Sequence, residues 1–135
     1  MATTLAFDVY GTLINTHGVL SLLEDMIGNN AQKFSNTWRE KQLEYSFRRG
    51  LMQNYIPFSL CTKHALDYAC LAHKTQLSDD QKQQLLDQYK ILPAFDDVKK
   101  GLEQLKAQNY RLFAFSNGAA DAVNKLLETA GISEL

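Results

Sequence analysis

The stretch Leu5-Ala6-Phe7-Asp8-Val9-Tyr10-Gly11-Thr12-Leu13 decides how the rest of the chain is read. An apolar run of strand length reaches one carboxylate, Asp8, and breaks at a glycine. No acid precedes Asp8 in the chain. A buried strand that ends in an Asp and then turns places the carboxylate at the C-terminal edge of a sheet, where open α/β sheets hold their ligands. Gly11 would let the backbone turn close to a bound group. The plainer alternative is a strand followed by an Asx-type turn.

A second apolar run, Tyr110-Arg111-Leu112-Phe113-Ala114-Phe115, reads as another buried strand and ends at Ser116-Asn117-Gly118. Asn-Gly after a strand is ordinarily a hairpin signal. The next dozen residues have helical rather than alternating periodicity, so a strand–turn–helix junction is expected instead. A serine at a helix N-terminus offers a hydroxyl and backbone N–H groups to an anion.

Between these strands the pattern is helical. Helices are expected over 19–27 with a stop at Gly28, over 34–49 with a stop at Gly50, over 59–74, over 78–90 and over 95–108, with another at 119–130 closed by Gly131. Ser78 and Gln81 have the spacing of a capping box, and Asp79 and Asp80 suit the positive end of a helix dipole. A βαβ unit takes roughly 30 residues, far fewer than separate the two strands. A helical insertion after the first strand is the economical explanation.

The phrases around Asp8 and Ser116 resemble the first two motifs of the haloacid dehalogenase superfamily, in which the leading Asp is the nucleophile. The resemblance implies an α/β fold: a partial Rossmann-like core of residues 1–15 and 91–135, with a helical cap of residues 16–90. Phosphatases of the superfamily carry a second Asp two residues after the first, to protonate the leaving alcohol. Tyr10 stands there in this chain. A tyrosine fits the L-2-haloacid dehalogenases, whose leaving group is a halide and needs no proton.

The implied activity is hydrolysis of (S)-2-haloacids to (R)-2-hydroxyacids and halide through an ester on Asp8. Carried over residue by residue, Thr12 supports the loop, Ser116 and nearby N–H groups hold the substrate carboxylate, and Asn117 helps receive the halide. Composition alone makes Arg39, in Trp38-Arg39-Glu40-Lys41-Gln42-Leu43-Glu44-Tyr45, part of a solvated helix face. The resemblance makes it the cap arginine that attracts the haloacid and stabilises the departing halide. Tyr10, Leu43 and Phe58 would wall the substrate pocket, with plain core packing as the alternative for them, and Val9 is counted with the substrate-binding residues. No metal and no cofactor are implied.

Two later motifs of the superfamily have no counterpart in these residues: a lysine, and a Ser/Asn/Asp cluster whose acid helps water cleave the ester. Lys125 lies within the helix after Ser116 and does not match. The stretch therefore resembles an N-terminal portion of such a dehalogenase. A phosphatase of the same superfamily and a non-catalytic fragment that only associates are the alternatives.

Composition bounds the remaining classes. With 135 residues, 45% hydrophobic and 21% charged, the chain has the make-up of one ordinary soluble domain. A formal net charge of −1 points to neither nucleic acid nor an anionic membrane surface. No apolar run approaches the roughly 20 residues of a membrane helix, and no secretion signal is apparent. Cys61 and Cys70 make no C-x-x-C pair and read as free thiols in a reducing cytoplasm. His17, His64 and His73 lack metal-ligand spacing. Two apolar strands make a poor independent sheet, so a homo-oligomer is expected.

Overall fold

The computed structural model describes residues 2–134, which divide into two compact units, one of residues 2–16 and 90–134 and the other of residues 17–89. The first is the sheet unit. Its strands β1 (Thr4–Asp8) and β2 (Arg111–Phe115) pair in parallel, with Thr4 opposite Arg111 and Asp8 opposite Phe115. Helix α5 (Val98–Ala107) leads into β2, and α6 (Ala120–Thr129) follows it. Val98, Leu102, Val123 and Leu126 are their buried residues, spaced three or four apart as an amphipathic helix requires.

The helical unit holds α1 (Leu20–Ile27), α2 (Ala31–Leu51), α3 (Phe58–Ala72) and α4 (Asp79–Tyr89). Ala31, Phe34, Ser35, Trp38 and Gln42 form the buried stripe of α2. It packs on Phe58, Cys61, Thr62, Ala65, Leu66, Ala69 and Cys70 of α3. Two histidines brace this packing. His17 Nδ1 lies 2.7 Å from Ser35 Oγ, and His73 Nε2 lies 2.8 Å from Thr37 Oγ1. Helix α4 opens on the expected capping box. The Gln81 N–H donates to Ser78 Oγ at 3.1 Å and the Ser78 N–H to Gln81 Oε1 at 2.9 Å.

Several expected boundaries move. Gly28 does take a positive φ of 69° and ends α1. Residues 28–30 then form a single 3₁₀ turn that feeds directly into α2, three residues before the expected start at Phe34. Gly50 does not stop α2. It stays helical, and the left-handed turn falls on Gln53 at φ 53°, whose N–H reaches the Gly50 carbonyl at 3.1 Å. Glycine permits a left-handed turn but does not impose one. Residues 95–97 are turn rather than helix, because the Val98 N–H closes back on the Phe95 carbonyl at 3.1 Å.

The expectation of buried strands fails. Both strands are largely exposed, with Phe113 at 56% and Phe115 at 74% exposure. Apolar composition marks a strand for burial, but burial needs further elements on its faces, and the sheet among the described residues has only two strands. Each therefore has one unpaired edge, a template for pairing with another chain. We expect the 135-residue chain to sediment above monomer mass at micromolar concentration and Phe115→Lys to shift it towards monomer. A monomeric parent chain in that measurement would contradict this.

Candidate active site

Asp8 is the last residue of β1, and the loop after it is tightly made. The Val9 carbonyl accepts the N–H groups of Thr12, Leu13 and Ile14 at 3.2, 3.0 and 2.9 Å. Gly11, at φ 89°, turns its N–H to the Ile14 carbonyl at 2.8 Å, a backbone form other residues rarely take. The loop is tied down on the far side as well. The Asn15 N–H donates to the Pro93 carbonyl at 2.8 Å, and the Phe95 N–H to the Leu13 carbonyl at 3.2 Å. Within this frame the Thr12 hydroxyl donates to Asp8 Oδ2 at 3.3 Å, and both residues are exposed. Asp8 is thus a solvent-facing carboxylate on a rigid turn, with one hydroxyl orienting it.

The strand register brings the second motif alongside. Asp8 pairs with Phe115, so Ser116 and Asn117 leave the sheet at the same edge. Ser116 is half-buried and its Oγ accepts the Gly118 N–H at 3.0 Å, while Asn117 is exposed. That bond occupies a backbone donor expected to face an anion and leaves the Ser116 hydroxyl proton to be given elsewhere. Helix α6 begins at Ala120 with no side-chain cap. Gly118 has a reason of its own. A Cβ there would stand 3.0 Å from Tyr10 Cε2 and 3.1 Å from Val123 Cγ2, so the Tyr10 ring is seated against bare backbone. Asp8, Tyr10, Thr12, Ser116 and Asn117 therefore share one edge. Val9 is fully buried, and its side chain lies in the core.

Arg39, Leu43 and Phe58 belong to the helical unit. Leu43 is half-buried on α2; Phe58, at 9% exposure, opens α3 as part of that unit's core. Arg39 is half-buried rather than solvated, and its Nη1 donates to Gln42 Oε1 at 2.6 Å. Its neighbour Lys41 is half-buried as well, but it pairs with Glu44 at 2.6 Å and its ammonium lies 4.6 Å from the centre of the Tyr68 ring. Gln42, Thr62 and Tyr89, all buried around Arg39, escape a reading by residue type. The available signal was position: Gln42 follows Trp38 by four and Phe34 by eight, on the stripe that enters the core.

Residues 2–135 match the haloacid dehalogenase-like hydrolase family. The chain belongs to that family. Among similar proteins, haloacetate dehalogenase H-2 of Moraxella sp. (strain B) is 34% identical over 128 residues, 95% of this chain and 57% of the relative. The (S)-2-haloacid dehalogenase of Pseudomonas sp. (strain YL) is 32% identical over 130 residues, 96% of this chain and 56% of the relative. The structure of L-2-haloacid dehalogenase from Xanthobacter autotrophicus with chloropropionic acid covalently bound superposes with a TM-score of 0.88 at 28% identity, covering 99% of this chain and 54% of that one. The chain thus spans a little over half the length of the haloacid dehalogenase relatives it matches. The α/β fold with inserted helices expected from the Asp8 and Ser116 motifs is the fold of this family.

One ionisable group near Arg39 has a thermodynamic signature. Burial pushes the Tyr89 phenol above its usual range, against the pull of Arg39 and Gln42. The folded chain holds that proton more tightly than the unfolded one. The stabilisation is whole below the unfolded value of about 10 and is lost as pH rises through the folded value. Burial likewise raises the Cys61 and Cys70 thiols, which begin to contribute from about pH 8.5. Denaturant midpoints should therefore fall on the alkaline side, with a shallower fall above about pH 10 in Tyr89→Phe. Equal slopes in parent and variant would show that Tyr89 does not titrate with unfolding.

Proposed function

We propose that this chain carries the nucleophile-bearing part of an (S)-2-haloacid dehalogenase, with residues 1–15 and 91–135 as its core and 16–90 as its cap. The observation that carries the reading is Asp8, exposed at the C-terminal end of β1 beside Ser116, with Tyr10 where a phosphatase would need its second acid. The names of the relatives agree with it. In the proposed reaction an Asp8 carboxylate oxygen attacks C2 of the haloacid from the face opposite the halogen. The C–O bond forms as the carbon–halogen bond breaks, the halide leaves with the electron pair, and C2 inverts. Water then adds to the Asp8 ester carbonyl, frees the (R)-2-hydroxyacid and restores the carboxylate.

Thr12 orients the nucleophile. The Ser116 hydroxyl proton is the donor assigned to the substrate carboxylate, with Asn117 towards the halide. Arg39 supplies positive charge for the halide as it departs, a charge present at all working pH. Tyr10, Leu43 and Phe58 select the group on C2, with Val9 contributing through its backbone. The substrate is a small monoanion. Free thiols at Cys61 and Cys70 agree with a reducing, cytoplasmic setting, and the exposed strands with a homo-oligomer. Among the described residues no helix is long and apolar enough to cross a membrane.

Incubation of the chain with (S)-2-bromopropionate tests the reading. Bromide release and an ester on Asp8, seen by mass spectrometry, are expected in the parent and absent in Asp8→Asn. Release should stop near one equivalent per chain, since the later motif whose acid helps water cleave the ester has no counterpart in these residues. Phosphate release from a phosphoester, without bromide release, would favour a phosphatase instead. Neither product would leave an associating fragment.

Two contrasts sharpen it. Bromide release should survive EDTA, because halide departure from a monoanion requires no magnesium; loss on chelation and recovery with magnesium would count against the mechanism. Arg39→Lys should slow release severely, since a point charge cannot copy the planar fork. Lys41→Ala, whose ammonium is already paired with Glu44, should change little. Equal slowing by both would remove the role given to Arg39.

A further inference from the structure

We propose that Gln42 is the positioning residue for Arg39, acting through a buried relay that runs from the Phe58 carbonyl to the guanidinium. The inference rests on the role given to Arg39 above and adds how its side chain is aimed. Gln42 has 0% exposure, so its amide is costly to bury unless both ends are bonded. Both are. Nε2 donates to Thr62 Oγ1 at 2.7 Å, and Oε1 accepts Arg39 Nη1 at 2.6 Å and the Tyr89 hydroxyl at 2.9 Å.

The orientation of that amide is dictated from below. A threonine hydroxyl has one proton, and Thr62 gives it to the Phe58 carbonyl at 3.0 Å. Towards Gln42 its oxygen can only accept, so the amide must present Nε2 there and Oε1 to Arg39. Tyr89 follows the same logic. Its proton goes to Gln42 Oε1, so towards any other donor its oxygen can only accept. The guanidinium is therefore met by an uncharged acceptor, Gln42 Oε1, that orients it without itself neutralising it.

The frame around the relay is stiff. Trp38 Nε1 donates to the Thr62 carbonyl at 2.9 Å, and the Trp38 and Tyr89 rings lie 5.3 Å apart. A group that must meet a departing charge needs such locked support. A core glutamine that merely satisfied itself would be replaceable by methionine of similar length. One that aims Arg39 would not.

The test uses the 135-residue chain labelled with ¹⁵N. In the parent, the Arg39 guanidinium should give separate, slowly rotating Nη signals, assigned by their loss in Arg39→Lys. Gln42→Met should fold, judged by circular dichroism, yet merge those signals and slow the first equivalent of bromide release about tenfold or more. Gln42→Glu should keep the signals separate and still slow release, because a carboxylate in contact neutralises the guanidinium. If Gln42→Met fails to fold, Tyr89→Phe should show the same merging to a lesser degree. Separate signals with unchanged release in Gln42→Met, or separate signals in Tyr89→Phe should the methionine variant not fold, would overturn the proposal. A parent that releases no bromide would sink the dehalogenase reading, while the Arg39 signals would still decide the positioning.

Discussion

The edge that carries Asp8 depends on the parallel register of β1 and β2. Asp8 stands opposite Phe115. Both strands therefore run out at the same level, and both following loops turn over the same edge. A slip of one residue would also turn each side chain of the strand to the other face. Ser116 would then no longer follow directly beyond Asp8. The ladder is extended at its other end, where the Arg111 N–H donates to the Thr3 carbonyl at 2.9 Å. Beyond Asp8 the Val9 carbonyl gathers three N–H groups, and the Gly11 turn fixes the direction in which the backbone departs.

The two units are stabilised in different ways. The sheet unit leaves broad apolar surface on β2, with Phe113 and Phe115 among the more exposed large side chains. The helical unit buries an aromatic and aliphatic core in which Phe34, Trp38 and Leu66 are almost wholly enclosed. Among the described residues it leaves no buried side-chain nitrogen or oxygen without a partner. In the helical unit a polar network runs through the core, and each of its members is satisfied. That is the condition under which a buried polar group adds rigidity rather than cost.

The same contrast explains what each side chain of the signature segment 38–45 does. Trp38 and Gln42 face the core, while Arg39, Lys41 and Glu44 are each half-covered, Arg39 bonded to Gln42 and Lys41 paired with Glu44. Side chains two positions apart on a helix diverge by about 200° (3.6 residues per turn). Two cations so placed can therefore have unlike partners, and Arg39, bonded to Gln42, and Lys41, paired with Glu44, are such a case.

Local signals in the residues established the strand that ends at Asp8, the glycine turn after it, the second strand reaching Ser116, the long helical stretch between them and the capping box at Ser78. Each is a local property: apolar runs, left-handed glycine, and side chains bonding the backbone three residues away. Family membership followed from the same short phrases. Tertiary structure alone decided which apolar residues are buried, since Phe115 and Phe34 are alike in composition and opposite in exposure. It also decided that Gly50 remains helical, that Val9 is core, and that Gln42 bonds Arg39, Thr62 and Tyr89. Thr62 and Tyr89 lie 20 and 47 residues from Gln42. The direction of their hydrogen bonds is set by where each proton has already been spent, which residue order does not carry.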